Sequence, residues 1–217
     1  MNNFSSQRLL YEAIYIPEGV EPPSREIMGQ ERGKQMILYH TGYQEIRYPD
    51  IRFGRKNADF GQGFYLTRDG EFAKRWARHR AGSDTYVNRY ELKTEGLQIR
   101  HFDRDESWHD YIFSNRTGSD DEYPDTDVVI GPIANDTLYD TLGVLTSGLL
   151  EKDRVLQLLI AGPLYEQVVI KTERALEQLR WIAAEKLTAD MVSEFRRIVK
   201  QEEAAYQEAI AKILYKE

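Results

Sequence analysis

The sequence predicts one α+β domain in which short strands and helices of uneven length share a core. Segments rich in Val, Ile, Tyr and Phe alternate with helix-like segments. The strand lengths are irregular and no βαβ unit repeats at a constant period, which disfavours a doubly wound parallel sheet. A chain of 217 residues is long enough to bury one full core. These three observations favour a single α+β fold.

Six strands and four helices are predicted in the central part of the chain. The strands are short β-branched and aromatic segments at 36–40, 63–67, 85–92, 97–102, 126–131 and 166–171. The helices are at 69–81, 105–116, 136–147 and 151–160. Asp69 is expected to cap the first helix, where Phe72 and Trp76 share a face at i and i+4.

The two ends are predicted to be helical and to lie outside the central domain, which we place at 36–180. Residues 1–35 indicate a short helix followed by a proline-containing connection. From Thr172 the apolar spacing predicts helix to the end, so that 181–217 forms a helical extension. Its last helix, unbroken from 188 to 214, would span about 40 Å. Two interpretations stay open: this helix covers one face of the sheet, or it forms a partner or dimer interface.

Composition excludes several classes of function. The chain has no cysteine, so it has no disulfide, thiolate nucleophile or sulfur-ligated metal. A net charge of −7 argues against non-specific wrapping of nucleic acid, although a locally held nucleic-acid substrate is compatible with it. We find no apolar run of the roughly 18 residues that cross a bilayer and no secretory signal. The expected localisation is cytoplasmic, and a chain injected by a secretion machine would look the same.

One glycine-rich segment predicts a binding slot for a flat ring. Gly61-Gln62-Gly63-Phe64-Tyr65-Leu66-Thr67 reads as a strand whose two glycines let the backbone approach a ligand closely. Trp76 follows Tyr65 by eleven residues, after a turn into a helix. Such a reversal can place two aromatic faces roughly 7 Å apart, the gap that a stacked heteroaromatic ring fills. An earlier strand ends in His40, which places an imidazole near the same slot.

In this order the motifs resemble the ADP-ribosyltransferase superfamily, on its diphtheria-toxin and poly(ADP-ribose) polymerase side. The likeness covers about residues 36–180. It rests on four segments, which are His40-Thr41-Gly42, Gly61-Gln62-Gly63-Phe64-Tyr65, Ala73 with Trp76, and Leu164-Tyr165-Glu166-Gln167-Val168-Val169-Ile170. It is closest to a bacterial group catalogued as a domain of unknown function, often encoded beside a small partner in toxin–antitoxin-like pairs. The resemblance implies a split antiparallel β-sandwich with flanking helices, and NAD as substrate.

The resemblance also implies roles for single residues. His40 and Tyr65 match the first two members of a His-Tyr-Glu triad, in which the histidine holds the ribose next to nicotinamide. The backbone of Thr41 matches the position that holds the carboxamide, and Trp76 matches the second aromatic of the nicotinamide sandwich. Gly42, Gly63 and Phe64 belong to the same motifs and are counted among the cofactor-binding residues. Arg55 and Lys56, in the loop before the glycine segment, are candidates for contacts to the pyrophosphate.

Gln167 stands where the related transferases have a catalytic glutamate. A carboxylate stabilises the cationic transition state as nicotinamide departs, whereas a neutral amide keeps the hydrogen bond and loses the charge. We therefore expect slow or acceptor-restricted chemistry. The adjacent Glu166 should point to the opposite sheet face, unless a bulge reverses the alternation.

Three functions stay open at this point. The chain is expected to transfer ADP-ribose to an unknown macromolecular acceptor, as a toxin of a toxin–antitoxin pair with a small protein partner; alternatively it hydrolyses NAD, or it is a degenerate NAD-binding module that acts through a partner. In isolation His40, Tyr65 and Trp76 would be ordinary core residues. No metal is predicted, since His101 and His109 fit no common metal-binding spacing and are assigned to the surface.

Overall fold

The computed structural model describes residues 35–134 and 164–214, which form two sheets and four helices. The strands are β1 (Gln35–Gly42), β2 (Phe64–Leu66), β3 (Thr85–Lys93), β4 (Ile99–His101), β5 (Val128–Pro132), β6 (Glu166–Ile170) and β7 (Leu179–Leu187). The helices are α1 (Gly70–Arg75), α2 (Glu106–Thr117), α3 (Glu173–Glu177) and α4 (Ala189–Leu214). The helices predicted at 136–147 and 151–160, and that near the N-terminus, lie outside the described residues.

The sheets confirm the α+β prediction, with one change in strand direction. The first sheet has the order β1-β3-β7 and is antiparallel throughout. The second has the order β2-β6-β5-β4, in which β2, β6 and β5 pair antiparallel while β4 and β5 pair parallel. The expectation of a purely antiparallel sandwich is therefore wrong for β4. Its connection to β5 passes through α2, and such a crossover allows parallel pairing.

Within the described residues, one backbone bridge links the two sheets. Tyr39 on β1 donates to the carbonyl of Thr67, just after β2, at 2.8 Å, and Thr67 donates back to the carbonyl of Tyr39 at 3.0 Å. Apart from this bridge, the described strands pair within two distinct sheets. His40 and Tyr65, each within two residues of the bridge, are thereby held where the two sheets diverge.

Three apolar clusters stabilise this arrangement. The first lies between the sheets and joins Leu38 and Tyr90 of one sheet to Val168 and Ile170 of the other. A second packs the other face of the second sheet against α2, around the fully buried Trp108. The third joins α1 and α4 to the ends of β3 and β7. The second sheet is therefore covered on both faces, which explains why β5 and β6 are buried almost throughout.

Helix α1 begins as predicted but ends early. The Asp69 carboxylate accepts hydrogen bonds from the backbone N–H groups of Glu71 and Phe72, which confirms the predicted N-cap. The helix ends at Arg75 rather than near residue 81. The Arg78 guanidinium donates to the carbonyl oxygens of Arg75 and Ala77, and so takes acceptors that a continuing helix would use. Trp76 therefore lies at the C-cap, where the residue is 37% exposed.

The prediction of continuous helix after Thr172 is wrong for β7. Leu179–Leu187 pairs with β3 as the third strand of the first sheet, so the predicted boundary at residue 180 falls inside a strand. A register shift between Arg89 and Tyr90 leaves Ile182 opposite no single partner, as in a β-bulge. The bulge breaks the two-residue alternation of a strand. Leu176, Leu179 and Ile182 therefore recur at a three-residue spacing, which resembles the apolar face of a helix.

Helix α4 packs along α1 instead of standing free. Its 26 residues span about 39 Å. Val192 and Tyr206 are buried, and Val192 lies in the cluster with Ala73 and Ala77 on the α1 side. These contacts favour the interpretation in which the last helix covers the domain itself. Among the described residues, no helix has the length and apolar character needed to cross a membrane.

Candidate functional site

A cleft of about 380 Å³ opens where the two sheets diverge. This volume lies within the range of roughly 300–1,000 Å³ typical of small-molecule sites. Its walls come from four elements and from the segment before β2. The lining residues are Tyr39, His40 and Thr41 on β1, Arg55, Ala58 and Asp59 before β2, Tyr65, Leu66 and Thr67 on and after β2, Phe72, Ala73 and Trp76 on α1, and Ile133 and Gln167.

His40 is held in one orientation with one nitrogen free for a ligand. Its Nδ1 lies 2.7 Å from the carbonyl oxygen of Tyr65, so Nδ1 carries the proton and donates it. The Phe64 ring lies behind the imidazole, with ring centroids 4.6 Å apart. Burial lowers the pKa of His40, which keeps the ring neutral at neutral pH. Nε2 is left as an acceptor without a partner among residues 35–134 and 164–214.

The lowered pKa of His40 predicts a stability loss on mild acidification. The unfolded chain takes up a proton at its ordinary pKa near 6.5, while the folded chain resists protonation until a lower pH. Stability is therefore full above about pH 6.5 and falls as the pH drops from there towards the depressed pKa. Denaturant unfolding of wild type and His40→Gln from pH 7.5 to 5 should give the steeper loss for wild type. Parallel slopes would contradict the assigned environment.

Tyr65 presents its ring to the cleft and fastens the glycine segment with its hydroxyl. The hydroxyl donates to the carbonyl oxygen of Gly61 at 2.7 Å and accepts from the backbone N–H of Phe60 at 3.0 Å. Burial, and then the negative charge of Asp59, raise the pKa of the phenol, so it stays neutral. Gly61 has a φ of 71°, a conformation that favours glycine. The segment therefore serves to place the Tyr65 ring.

Thr41 on β1 and Trp76 at the end of α1 line the part of the cleft where these two elements meet. The Thr41 hydroxyl donates to the carbonyl oxygen of Ala73 and so ties β1 to α1. Trp76 packs edge-to-face on Phe72, with centroids 5.9 Å apart. Phe72 in turn stacks on Tyr165 at 3.9 Å. The Trp76 ring is therefore held in place by Phe72, which Tyr165 supports in turn.

Helix α4 contacts the residues that support Trp76, from outside the cleft. Glu202 on α4 accepts hydrogen bonds from the Arg75 guanidinium, at 2.5 Å, and from the Tyr165 hydroxyl, at 3.1 Å. The Arg75 guanidinium also lies over the Tyr165 ring, 5.3 Å from its centroid. This contact set joins the last helix to the element that carries Trp76. The sequence patterns did not predict it, because its members are 37 to 127 residues apart.

Gln167 lies on the cleft wall with its amide fixed by two acceptors. Nε2 donates to the Asp59 carboxylate at 3.2 Å and to the Pro132 carbonyl at 3.3 Å. Because both partners are acceptors, the amide nitrogen must face them and Oε1 must face away. Oε1 has no partner in the described part of the chain and is left for the cleft. Strand β6, which carries Gln167, pairs with β5 without a register shift, so no bulge disturbs the alternation of its side chains between the two sheet faces.

Glu166 lies outside the cleft, as the alternation of side chains predicted. Its carboxylate pairs with Arg68 at 3.4 Å, and it is not among the residues that line the cavity. Burial raises the pKa of this carboxyl, which Arg68 partly offsets. Glu166 therefore does not share the cleft with Gln167.

Residues 36–181 match the family described as protein of unknown function (DUF3990). The chain belongs to the DUF3990 family. The matched residues run from β1 into β7 and include every residue predicted for the site, whereas α4 lies beyond them. Neither a curated protein nor a solved structure matches this DUF3990 chain.

Six of the ten predicted site residues of this DUF3990 protein line one cleft. They are His40, Thr41, Arg55, Tyr65, Trp76 and Gln167. The other four do not. Gly63 allows the close approach of β6, since a Cβ there would lie 2.6 Å from the Ile170 carbonyl oxygen, and Gly42 lies beside the His40 ring. Phe64 is in the core between the sheets and Lys56 is exposed.

The structure adds Asp59 to the site, and sequence reasoning missed its role. Its side chain is 5% exposed and accepts from Arg116 on α2 through Nε at 3.1 Å and Nη2 at 2.7 Å. Nothing in the residues around Asp59 predicts that this aspartate is buried or that it contacts Gln167.

Of the two histidines that the sequence places on the surface, His101 is exposed, but His109 is buried on α2, so the prediction is wrong for His109. Within the described ranges no cluster of three or more His, Asp or Glu side chains is placed to hold a metal ion.

Proposed function

We propose that this DUF3990 protein is an NAD-dependent mono-ADP-ribosyltransferase with an ADP-ribosyltransferase-like fold. The observation that carries the proposal is the meeting of His40, Tyr65, Trp76 and Gln167 in one cleft. These residues come from four separate segments, each chosen from the sequence for a role at the nicotinamide end of NAD. The split between the two sheets at the Tyr39–Thr67 bridge supports the same assignment.

In the proposed reaction the bond between ribose C1 and the pyridinium nitrogen breaks. The electron pair of that bond passes to the nitrogen, so nicotinamide leaves as a neutral molecule and C1 becomes cationic. A nucleophile of the acceptor then forms a bond to C1 and releases its proton. The overall change is NAD⁺ plus acceptor to ADP-ribosyl acceptor, nicotinamide and a proton.

The side chains of the cleft suit the parts of this substrate. Tyr65 and Trp76 offer aromatic faces to the nicotinamide ring, and stacked aromatic pairs contribute about 0.5–1.5 kcal/mol beyond burial. The free Nε2 of His40 and the Oε1 of Gln167 are acceptors suited to ribose hydroxyls. Arg55 is exposed at the cleft, where a guanidinium can bind the pyrophosphate in a bidentate manner.

One observation favours a second candidate, a catalytically inactive NAD-binding module. Gln167 places a neutral amide where the related transferases have a carboxylate. Such a protein would bind NAD in the same cleft and act through a partner. The two candidates share a site and differ only in turnover, so one experiment separates them.

The test is to incubate the protein with NAD labelled in its adenylate half, with and without cell lysate. A transferase attaches the label to a macromolecule only when lysate is present. Hydrolysis gives free ADP-ribose without lysate, and an inactive module binds NAD by calorimetry without turnover. If the protein neither binds nor cleaves NAD, the proposed function is wrong. A toxin role is a separate hypothesis, tested by growth arrest on induction of wild type but not of His40→Ala.

A further inference from the structure

The pocket around position 167 is built for an amide. The Gln167 nitrogen donates to two acceptors, the Asp59 Oδ2 atom and the Pro132 carbonyl oxygen. A glutamate at this position would turn a carboxylate oxygen towards another carboxylate and a carbonyl, and would lose both hydrogen bonds. Gln167 is therefore matched to its surroundings and is not a simple loss of charge from an otherwise unchanged site.

A carboxylate is nevertheless present in the cleft, one side chain away. Asp59 lines the cavity and is buried there. Its Oδ1 accepts both hydrogen bonds from Arg116, while Oδ2 accepts from Gln167 and from the backbone N–H of Ala134 at 3.3 Å. Side-chain and backbone donors thus hold the carboxylate with one oxygen on the Gln167 side. Its charge acts within the cleft, where it contributes to the raised pKa of Tyr65.

We infer that Asp59 is the positioning residue of this site, which orients the Gln167 amide and supplies the negative charge that position 167 lacks. The inference rests on the proposed function and deepens it. As the bond between C1 and nicotinamide breaks, positive charge develops on the ribose. Asp59 polarises the Gln167 amide through the hydrogen bond to Nε2, which makes Oε1 a stronger acceptor facing that charge.

A cycle of four proteins tests this: wild type, Asp59→Asn, Gln167→Glu and the double variant. Nicotinamide release is measured as kcat and KM for NAD, and circular dichroism checks the fold. Asp59→Asn should lower kcat by about 10- to 100-fold and change KM by less than about threefold, because an effect on charge development acts in the transition state. The double variant exchanges the amide and the carboxylate and should recover at least about tenfold of the lost kcat. A merely structural role predicts no such recovery.

Two results overturn the inference. In the first, Asp59→Asn keeps more than half of the wild-type kcat. In the second, the double variant is no faster than Asp59→Asn. Absence of both NAD binding and nicotinamide release in wild type is a different outcome, since it removes the proposed function itself.

The Gln167→Glu variant decides the question if Asp59→Asn does not fold. With Asp59 present, the introduced carboxyl should take up a proton more readily than an isolated one as the pH falls, because adjacent carboxylates repel, and the pair then carries one charge as in wild type. The variant should therefore be slower than wild type at pH 8 and approach it as the pH falls. Arg116 pairs with Asp59, and Arg55, Tyr65 and His40 line the same cleft, so the ratio to wild type is taken at each pH. A variant faster than wild type at pH 8 would mean that position 167 merely lacks a charge, and would overturn the inference.

Discussion

Replacing Arg116 with methionine should destabilise the protein by about 3–5 kcal/mol, because it leaves a buried carboxylate without its partner. The side chains of Arg116 and Asp59 are 11% and 5% exposed, so water can replace little of the lost ion pair. The free energy of unfolding from denaturant titration measures the loss. A methionine keeps much of the apolar stem, so the effect reports mainly on charge and hydrogen bonding.

Two controls separate the ion pair from general damage by the substitution. Arg197→Met removes an exposed pair on α4, with side chains 57% and 54% exposed, and should change stability by less than about 1 kcal/mol. The double variant Arg116→Met with Asp59→Asn should recover part of the loss, because no charge is then left unpaired. A loss below 1 kcal/mol for Arg116→Met would show that Asp59 is not a buried charge.

The second large effect is expected on catalysis, from His40→Ala. Nicotinamide release should fall by about 100-fold or more. The variant loses the acceptor at Nε2 and also the hydrogen bond from Nδ1 to the Tyr65 carbonyl oxygen, which joins β1 to β2. His79→Ala is the matched control, because His79 is exposed and lies outside the cleft. Activity that survives in His40→Ala while the protein stays folded would remove His40 from the site.

Features that depend on residues close together in the sequence could be predicted. The Asp69 cap follows from an acidic side chain directly before a helix, and the alternation on β6 correctly separated Glu166 from Gln167. The same alternation places the Phe64 side chain on the core side of β2 when the neighbouring Tyr65 faces the cleft, so these two side chains do not share a ligand.

Other features depended on contacts between distant residues. Strand β7 could not be predicted from the sequence pattern, because the bulge at Ile182 interrupts the alternation of inward and outward side chains. Only the pairing with β3 shows that this segment is a strand. Asp59 and Gln167 are 108 residues apart, and no spacing in the sequence links them. The sequence alone therefore offered only the resemblance for judging Gln167, whereas the structure shows that its amide nitrogen donates to Asp59.

We propose that the nicotinamide ring of NAD binds in the cleft between Tyr65 and Trp76. A crystal structure with a non-hydrolysable NAD analogue is the decisive experiment. We expect the pyridine ring between these two side chains, with ribose hydroxyls bonded to His40 Nε2 and Gln167 Oε1. An analogue bound elsewhere, or a ribose out of reach of both acceptors, would contradict it.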